Sequence, residues 1–181
     1  MSEIAVSESP KYPWYQIGKM DDLEQGDLLP NCPVIYLPND LTPILNAQES
    51  DEIEIIPDLK TIDLILMTQS CDLENEKIEQ ILLCAYLPFS TKEYQKNKDN
   101  IRKERMTALH LIEKCDAEDF SFEKQVIDFR AIYTLPKDFV ATFAETLDIR
   151  ARLLSPYKEH LSQAFARYFM RVGLPRPLLK D

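Results

Sequence analysis

The sequence predicts an α+β fold, in which C-terminal helices pack on a partly open antiparallel β-barrel of roughly five to seven strands. Two apolar runs, 64–67 and 81–87, are too short for ordinary helices and are separated by a brief polar segment, which favours a buried antiparallel pair. Alternating apolar residues return at 108–112 and 125–135, which is typical of strands. The end of the chain contains helix start and stop signals instead.

These patterns also predict the domain boundaries. We expect residues 1–10 to be a disordered tail, 11–135 to form the small β-barrel domain, and 136–181 to be a helical segment packed on the barrel. The single tryptophan, Trp14, should anchor the tail by packing on the domain. Gly26 favours a turn into the first strand.

Three further segments belong to the predicted barrel. Prolines flank the run 34–37, which predicts a short strand near a sheet edge, because proline cannot donate to a ladder. Alternation at 53–55 suggests a half-buried strand. Residues 92–105 are mostly charged, with apolar side chains only at Tyr94 and Ile101, so we expect an exposed helix or loop. This charged insertion (residues 92–105) is also a candidate surface for a partner.

The strand predicted at 125–135 follows an acidic turn at 113–119. Strict alternation would place alternate residues on opposite faces, with one face formed by Ile127, Phe129, Ala131 and Tyr133. Asp128 and Arg130 would then be neighbours on the other face. The simplest interpretation of them is an ion pair beside the core.

Two helices are predicted in the C-terminal segment. The first, at 137–147, would present an apolar face of Phe139, Val140, Phe143 and Leu147. The second, at about 156–172, has Ser155 as a suitable N-cap and Pro156 in the first position, and it would stop at Gly173. Its apolar stripe comprises Leu161, Phe165, Tyr168, Phe169 and Val172.

Charge is distributed unevenly along this acidic chain. The net charge is -10, yet residues 150–180 contain seven basic residues and one acidic residue, which leaves -16 for the rest. Phosphate contacts require positive potential, so nucleic acid could bind only through the basic C-terminal segment. Alternatively, this segment packs against the protein's own acidic residues.

Composition excludes several classes of site. With three glycines in all, the chain has no Gly-rich phosphate loop, and the spacing of its four cysteines and two histidines fits no zinc motif. No apolar run approaches the ~20 residues that a bilayer requires, and the N-terminus lacks a signal-peptide pattern. We therefore expect a cytoplasmic protein with no cofactor, no metal and no membrane contact.

The best polar constellation lies on the last helix, where His160, Arg167 and Arg171 share one face at helical spacing. Together with Lys158 they are candidates for binding a protein partner. Catalysis on a phosphodiester is an alternative, with His160 as general acid or base and the arginines holding the anion. Arginine stems covering apolar surface would explain the same face without a ligand.

A second candidate is Cys71, which follows the first buried strand. It could act as a nucleophile if His110 or His160 came close in space. A polar turn in which Asp72 bonds to the backbone explains these residues without catalysis.

Three segments together resemble a known family: 25–29 (Gln-Gly-Asp-Leu-Leu), 64–70 (Leu-Ile-Leu-Met-Thr-Gln-Ser) and 82–91, which ends Pro-Phe-Ser-Thr. Their order is similar to that in the SH3-like small barrel of the MazF/PemK toxins. That resemblance implies a dimeric endoribonuclease, with Thr91, or its neighbour Ser90, at the family's catalytic threonine. The family's arginine position instead holds a segment ending in Asp63, which would repel phosphate.

The segments Thr-Gln-Ser-Cys-Asp (68–72) and 155–175 also resemble uncharacterised prokaryotic proteins, which implies no particular chemistry. Taken together, these features predict a non-enzymatic interaction or regulatory subunit of a bacterial toxin–antitoxin or antiviral defence module. Its contact surfaces would be the charged insertion and the C-terminal helix. The alternative is a MazF/PemK-like endoribonuclease or RNA-binding protein, and a homodimer is compatible with either.

Overall fold

The computed structural model describes residues 13–37, 40, 42, 46, 56–74, 78–118 and 120–170. This part of the chain forms nine strands and five helices. In chain order they are β1 (Tyr15–Gly18), β2 (Asp27–Tyr36), β3 (Asp58–Leu66), α1 (Ser70–Leu73), β4 (Gln80–Pro88), α2 (Lys92–Gln95), α3 (Lys98–Arg102), β5 (Leu109–Ile112), β6 (Cys115–Ala117), β7 (Phe120–Phe122), β8 (Gln125–Pro136), α4 (Lys137–Glu145), β9 (Arg150–Leu153) and α5 (Tyr157–Phe169). The mixed α+β class is confirmed.

Seven strands form one antiparallel sheet in the order β1-β9-β2-β3-β4-β8-β5, and β6 pairs with β7 in a separate hairpin. The predicted buried pair lies at its centre, where Leu64 pairs with Ala85 and Ile65 with Cys84. Leu64 and Ile65 are fully buried in apolar clusters on opposite faces of the sheet. The prediction of strands buried on both faces is therefore confirmed.

Helices cover both faces. Helix α5 packs on the face whose apolar cluster receives side chains from all seven strands: Ile17, Leu153, Leu28, Ile65, Tyr86, Phe129 and Ile112. Helix α4 packs on the opposite face. The two edge strands approach each other, because the Tyr15 hydroxyl on β1 donates to the Glu113 carbonyl just after β5 (2.5 Å). The sheet is therefore strongly curved.

Strand β2 differs from its prediction. It has ten residues rather than a short run, because a register shift between Leu29 and Cys32, with Asn31 in the left-handed region (φ 54°), accommodates Pro30 within the strand. Only its start pairs with β9, so its far half, which contains Pro33, has β3 as its neighbour. The position of residues 34–36 near a sheet edge agrees with the prediction, whereas the predicted short length of the strand is wrong. The predicted tail and the strand at 53–55 lie outside the described residues.

The alternation predicted along β8 is wrong. Ile127 and Phe129 lie in the cluster under α5, whereas Ala131 and Tyr133 lie in the cluster on the opposite face. A register irregularity opposite Cys84 and Ala85 reverses the faces. It coincides with a local bond that competes with the ladder, because the Asp128 carboxylate accepts the Arg130 backbone N–H (2.9 Å) and also pairs with its guanidinium. The predicted ion pair is thus confirmed.

The charged insertion consists of the short helices α2 and α3. Its two apolar residues, Tyr94 and Ile101, are buried with Phe89, Leu109 and Val126 in a third cluster beside β5 and β8. The insertion is therefore anchored to the sheet. The segment predicted as an acidic turn contains β6 and part of a hairpin instead.

Both C-terminal helices are present, with local corrections. In α4, Val140 and Ala144 are buried while Phe139 is exposed. In α5 the N-cap position is Pro156 rather than Ser155, since the Pro156 carbonyl accepts the His160 backbone N–H (3.0 Å). In the predicted apolar stripe of α5, Leu161 is buried, Phe165 and Tyr168 pack against the core, and Phe169 is exposed.

The strand β9 was not predicted. It lies between β1 and β2 and all four of its residues are buried, although two of them are arginines. Within the described ranges, no helix is both long and apolar enough to cross a membrane.

Candidate functional site

The most deeply buried polar group is an ion cluster around Asp27, at the start of β2. Asp27 is fully buried, and Arg150 and Arg152 on β9 are 2% and 4% exposed. Arg152 donates from Nε to Asp27 Oδ1 (2.5 Å), and Arg150 donates from one terminal nitrogen to Oδ2 (3.1 Å). Both guanidinium groups also donate to backbone carbonyls, at Met20 or Asp22. The cluster therefore supplies hydrogen-bond acceptors to two arginine side chains that are buried in the sheet.

The rim of this cluster is closer to solvent. Arg152 also pairs with Glu24 (2.8 Å) and Asp22 (3.1 Å), and Lys158 on α5 reaches Glu24 (3.3 Å). Burial lowers the pKa of Arg152, but Asp27 and the rim carboxylates outweigh burial and hold this pKa above its ordinary value. Three carboxylates therefore balance three cations within this cluster. Among the predicted partner-binding residues, Lys158 forms an ion pair with Glu24 of the protein itself.

A surface cleft of about 230 Å³ lies where the charged insertion meets α5. Its lining comes from the end of the insertion, the start of β5 and the outer face of α5, and consists of Glu104, Met106, Thr107, Leu109, His110, Ala164 and Arg167. Arg167, predicted from helical spacing, is 61% exposed and lies 4.0 Å from the Glu104 carboxylate. The cleft therefore has an apolar floor and a charged rim.

His110 forms part of the cleft wall. Its side chain is 8% exposed, and its ring stacks on Phe129 with the ring centroids 6.2 Å apart. Burial lowers the pKa of His110 to about 4; Glu104 raises this pKa, while His160 and Arg167 lower it. His110 is thus a neutral imidazole at pH 7, close enough to His160 and Arg167 to sense their charge.

Glu104 is held at the rim by an unusual backbone conformation. Its φ of 52° lies in the left-handed region, which costs a residue with a side chain about 1 kcal/mol. The Glu104 N–H donates to the Ile101 carbonyl at the end of α3 (3.0 Å), so this turn ends the insertion and points the chain toward β5. From this turn the exposed Glu104 carboxylate lies 4.0 Å from the Arg167 guanidinium.

Cys71 lies apart from this cleft. It is exposed on α1, and its thiol contacts its chain neighbours Gln69 (3.7 Å) and Asp72 (3.9 Å). His110 lies on β5, three strands away from β3 in the sheet, and His160 lies on α5. Among the described hydrogen bonds, none links Cys71 to a histidine. The segment forms a short helix, and within the described residues no hydrogen bond joins the Asp72 carboxylate to the backbone, so the polar-turn interpretation stays a prediction.

The residues matched to the toxin family also have local roles. Thr91 is half-buried, and its carbonyl accepts the Gln95 N–H in the first turn of α2 (3.0 Å). The Ser90 hydroxyl donates to Glu123 (2.6 Å). Asp63, where the family has its arginine segment, accepts the Asn31 N–H at the irregularity of β2 (2.8 Å). The side chains of Ser90 and Asp63 therefore bond within the protein, whereas the bond described for Thr91 involves its backbone alone.

The structure thus brings together some predicted residues and separates others. Arg167 and His160 both lie on α5, two turns apart, and both lower the pKa of His110, while Arg171 lies outside the described residues. In the sequence alone, His110 is a candidate only as a partner for Cys71, and Glu104 has no role beyond the charge of the insertion. His110 and Glu104 line the same cleft as Arg167 because the charged insertion packs against α5.

Comparisons with known proteins do not identify the chain. A scan against protein-family models finds no matching family. A search of curated proteins returns no match.

Proposed function

We propose that this protein is a non-enzymatic, cytoplasmic interaction subunit that regulates a bacterial toxin–antitoxin or defence-type module by binding a protein partner. The observation that supports the proposal is the contact between Glu104 and Arg167. It joins the charged insertion to α5, so the two segments chosen separately as contact surfaces form one continuous surface around a cleft.

The charge of this surface contrasts with that of the whole chain. The insertion contains six basic and three acidic residues, and α5 adds Arg167 and the exposed His160, in a protein of net charge -10. A local positive surface on an acidic protein steers an acidic partner toward one docking site and repels it elsewhere. The partner we expect therefore presents carboxylates.

The proposed scaffold is a partly open SH3-like barrel. The curved antiparallel sheet, with its edges linked by Tyr15 and Glu113, supports this fold. A rigid sheet of this kind holds the insertion and α5 in fixed relative positions, which reduces the entropy lost on binding.

Charge reversal tests the proposal. We expect the parent protein to capture a partner from a lysate of its native host, and Arg167→Glu to lose it, because a carboxylate replaces the central cation. Lys19→Glu makes the same charge change at an exposed position before β2 and should retain the partner. Equal capture by both variants would contradict the proposed surface. Salt should weaken the parent interaction.

An endoribonuclease or RNA-binding protein is the second candidate, and the cleft itself favours it. The cleft places the imidazole of His110 beside the Arg167 guanidinium, which can hold a phosphate. The test is incubation with mixed single-stranded RNA, with and without divalent metal, beside the Arg167→Ala/Arg171→Ala double variant. Cleavage that disappears in the variant would replace the interaction proposal with a nuclease. RNA left intact by all forms favours the protein partner.

A further inference from the structure

The far part of the β2–β3 hairpin extends beyond the rest of the sheet. We call residues 33–36 of β2 and 58–61 of β3 the β2–β3 arm. Strand β9 pairs only with Asp27 and Leu28 of β2, and β4 pairs with β3 only from Leu64 to Leu66. Within the described part of the chain, each strand of the arm therefore has the other as its single ladder partner.

The two faces of this arm differ. On one face Tyr36 packs against Tyr133, with their hydroxyls 2.8 Å apart, and Lys60 lies over the Tyr36 ring. On the other face Ile35 and Leu59 are cross-strand partners, and they are 66% and 67% exposed. Leu37, two residues beyond Ile35, is 62% exposed. Unpaired strands with an exposed apolar face are a typical site of strand addition.

Backbone groups are oriented to accept another strand. Pro33, opposite Thr61, has no N–H to give to β3, so we place the non-hydrogen-bonded positions of this ladder at Thr61 and, two residues away, at Leu59. The N–H and C=O of Leu59 then face the outer edge of β3. All of residues 58–61 are exposed.

We propose that this outer edge is a dimerisation surface, on which β3 of one copy pairs antiparallel with β3 of a second copy around Leu59. The charge pattern identifies the second copy as the occupant. With Leu59 opposite itself, Asp58 lies opposite the partner's Lys60 and Lys60 lies opposite the partner's Asp58, so both cross-strand pairs are attractive. Such a two-fold contact is self-complementary and closes after two copies. The proposal is independent of the cleft and of the proposed function.

A charge swap tests this register. Asp58 and Lys60 are 63% and 57% exposed, so changing them should leave the fold intact. In sedimentation over a concentration series, Asp58→Lys or Lys60→Asp alone places like charges opposite each other twice and should weaken dimerisation about tenfold. The Asp58→Lys/Lys60→Asp double variant restores both attractive pairs and should restore the dimer. A monomeric parent, single variants that dimerise like the parent, or a double variant that stays monomeric would each overturn the proposal.

Cross-linking gives a second measurement that does not depend on charge. In a Cys71→Ser background, which removes the exposed thiol, Leu59→Cys should form a disulfide-linked dimer on oxidation because the two thiols meet at the axis. Thr61→Cys is the matched control on the same face, and its thiols would be separated by four residues along the ladder, about 13 Å. Equal cross-linking of both variants, or none at Leu59→Cys, would overturn the register.

Discussion

At the scale of single residues, Asp27 has the most demanding environment in the described chain. It is fully buried between two arginines that are also nearly buried. Replacing it with asparagine keeps the size of the side chain but leaves both guanidinium groups without their central counter-charge. Breaking a buried ion pair in this way costs roughly 3–5 kcal/mol. Asp27→Asn should therefore lower the free energy of unfolding by about that amount in urea titrations.

The control for Asp27 is Asp22→Asn in the same cluster. Asp22 is 68% exposed, so its pairing with Arg152 is screened by solvent. We expect a loss below about 1 kcal/mol. Similar losses for both variants would mean that the cluster does not depend on burial.

His110 makes a pH-dependent contribution to stability. Its pKa in the folded protein is about 4, chiefly because of burial, and an unfolded histidine titrates near 6.5. The unfolded chain therefore binds more protons between these values, so the stability from His110 is fully present above about pH 6.5 and is lost as pH falls toward 4. The loss is roughly 3 kcal/mol.

A pH series separates this effect from the titration of carboxylates. We expect the difference in unfolding free energy between the parent and His110→Gln to change by that amount from pH 7 to pH 4, measured by chemical denaturation. His160→Gln removes one of the smaller causes of the lowered pKa of His110 and keeps the burial of the ring, so it should change the parent's pH profile much less than His110→Gln does. A constant parent-minus-His110→Gln difference would show that the pKa of His110 is the same in the folded and the unfolded protein.

At the scale of elements, local patterns predicted those strands and helices whose burial is encoded nearby. The apolar runs around Leu64 and Ile81 predicted β3 and β4, and the helical spacing of apolar residues predicted α5. By contrast, β9 could not be predicted because its arginines are buried only through Asp27, 123 and 125 positions away. The faces of β8 could not be predicted because the local bond from Asp128 interrupts the alternation.

The candidate cleft illustrates the same limit. Helical spacing was enough to place Arg167 and His160 on one exposed face. The presence of His110 and Glu104 beside them depends on how the insertion folds, and that depends on the burial of Tyr94 and Ile101 against the sheet. Two isolated apolar residues in a charged segment indicate an anchor, but they do not specify where it docks.

The anchor of the insertion can be tested through Ile101, which is 1% exposed. Ile101→Ala leaves a cavity in the small cluster and should lower the free energy of unfolding by about 2–4 kcal/mol at most. The destabilisation should be greatest in α2 and α3. We expect faster amide exchange across 92–105, while β3 and β4 keep their protection. Ile35→Ala, at a 66% exposed position, should change neither. Uniform acceleration in Ile101→Ala would show that the insertion unfolds only with the whole sheet.

At the scale of the whole molecule, the sheet joins distant parts of the chain. Strand β9 comes from the C-terminal segment, yet it lies between β1 and β2 and supplies both arginines to Asp27. Gly26 packs closely against β9, because a Cβ at this position would lie 2.9 Å from the Leu153 Cβ. The boundary predicted at residue 136 remains a prediction, and the position of β9 argues that the two sides fold together.

Separate expression of residues 11–135 tests this cooperativity. Without β9, Asp27 would be buried with no counter-charge, and β1 and β2 would lose the strand that joins them, so we expect an unfolded fragment. The measurement is a two-dimensional amide NMR spectrum, in which the fragment should show the narrow dispersion of a disordered chain. Adding a peptide of residues 136–181 should restore dispersion if β9 can insert from a separate chain. Well-dispersed signals from residues 11–135 alone would contradict the expectation and would establish this segment as an independent domain.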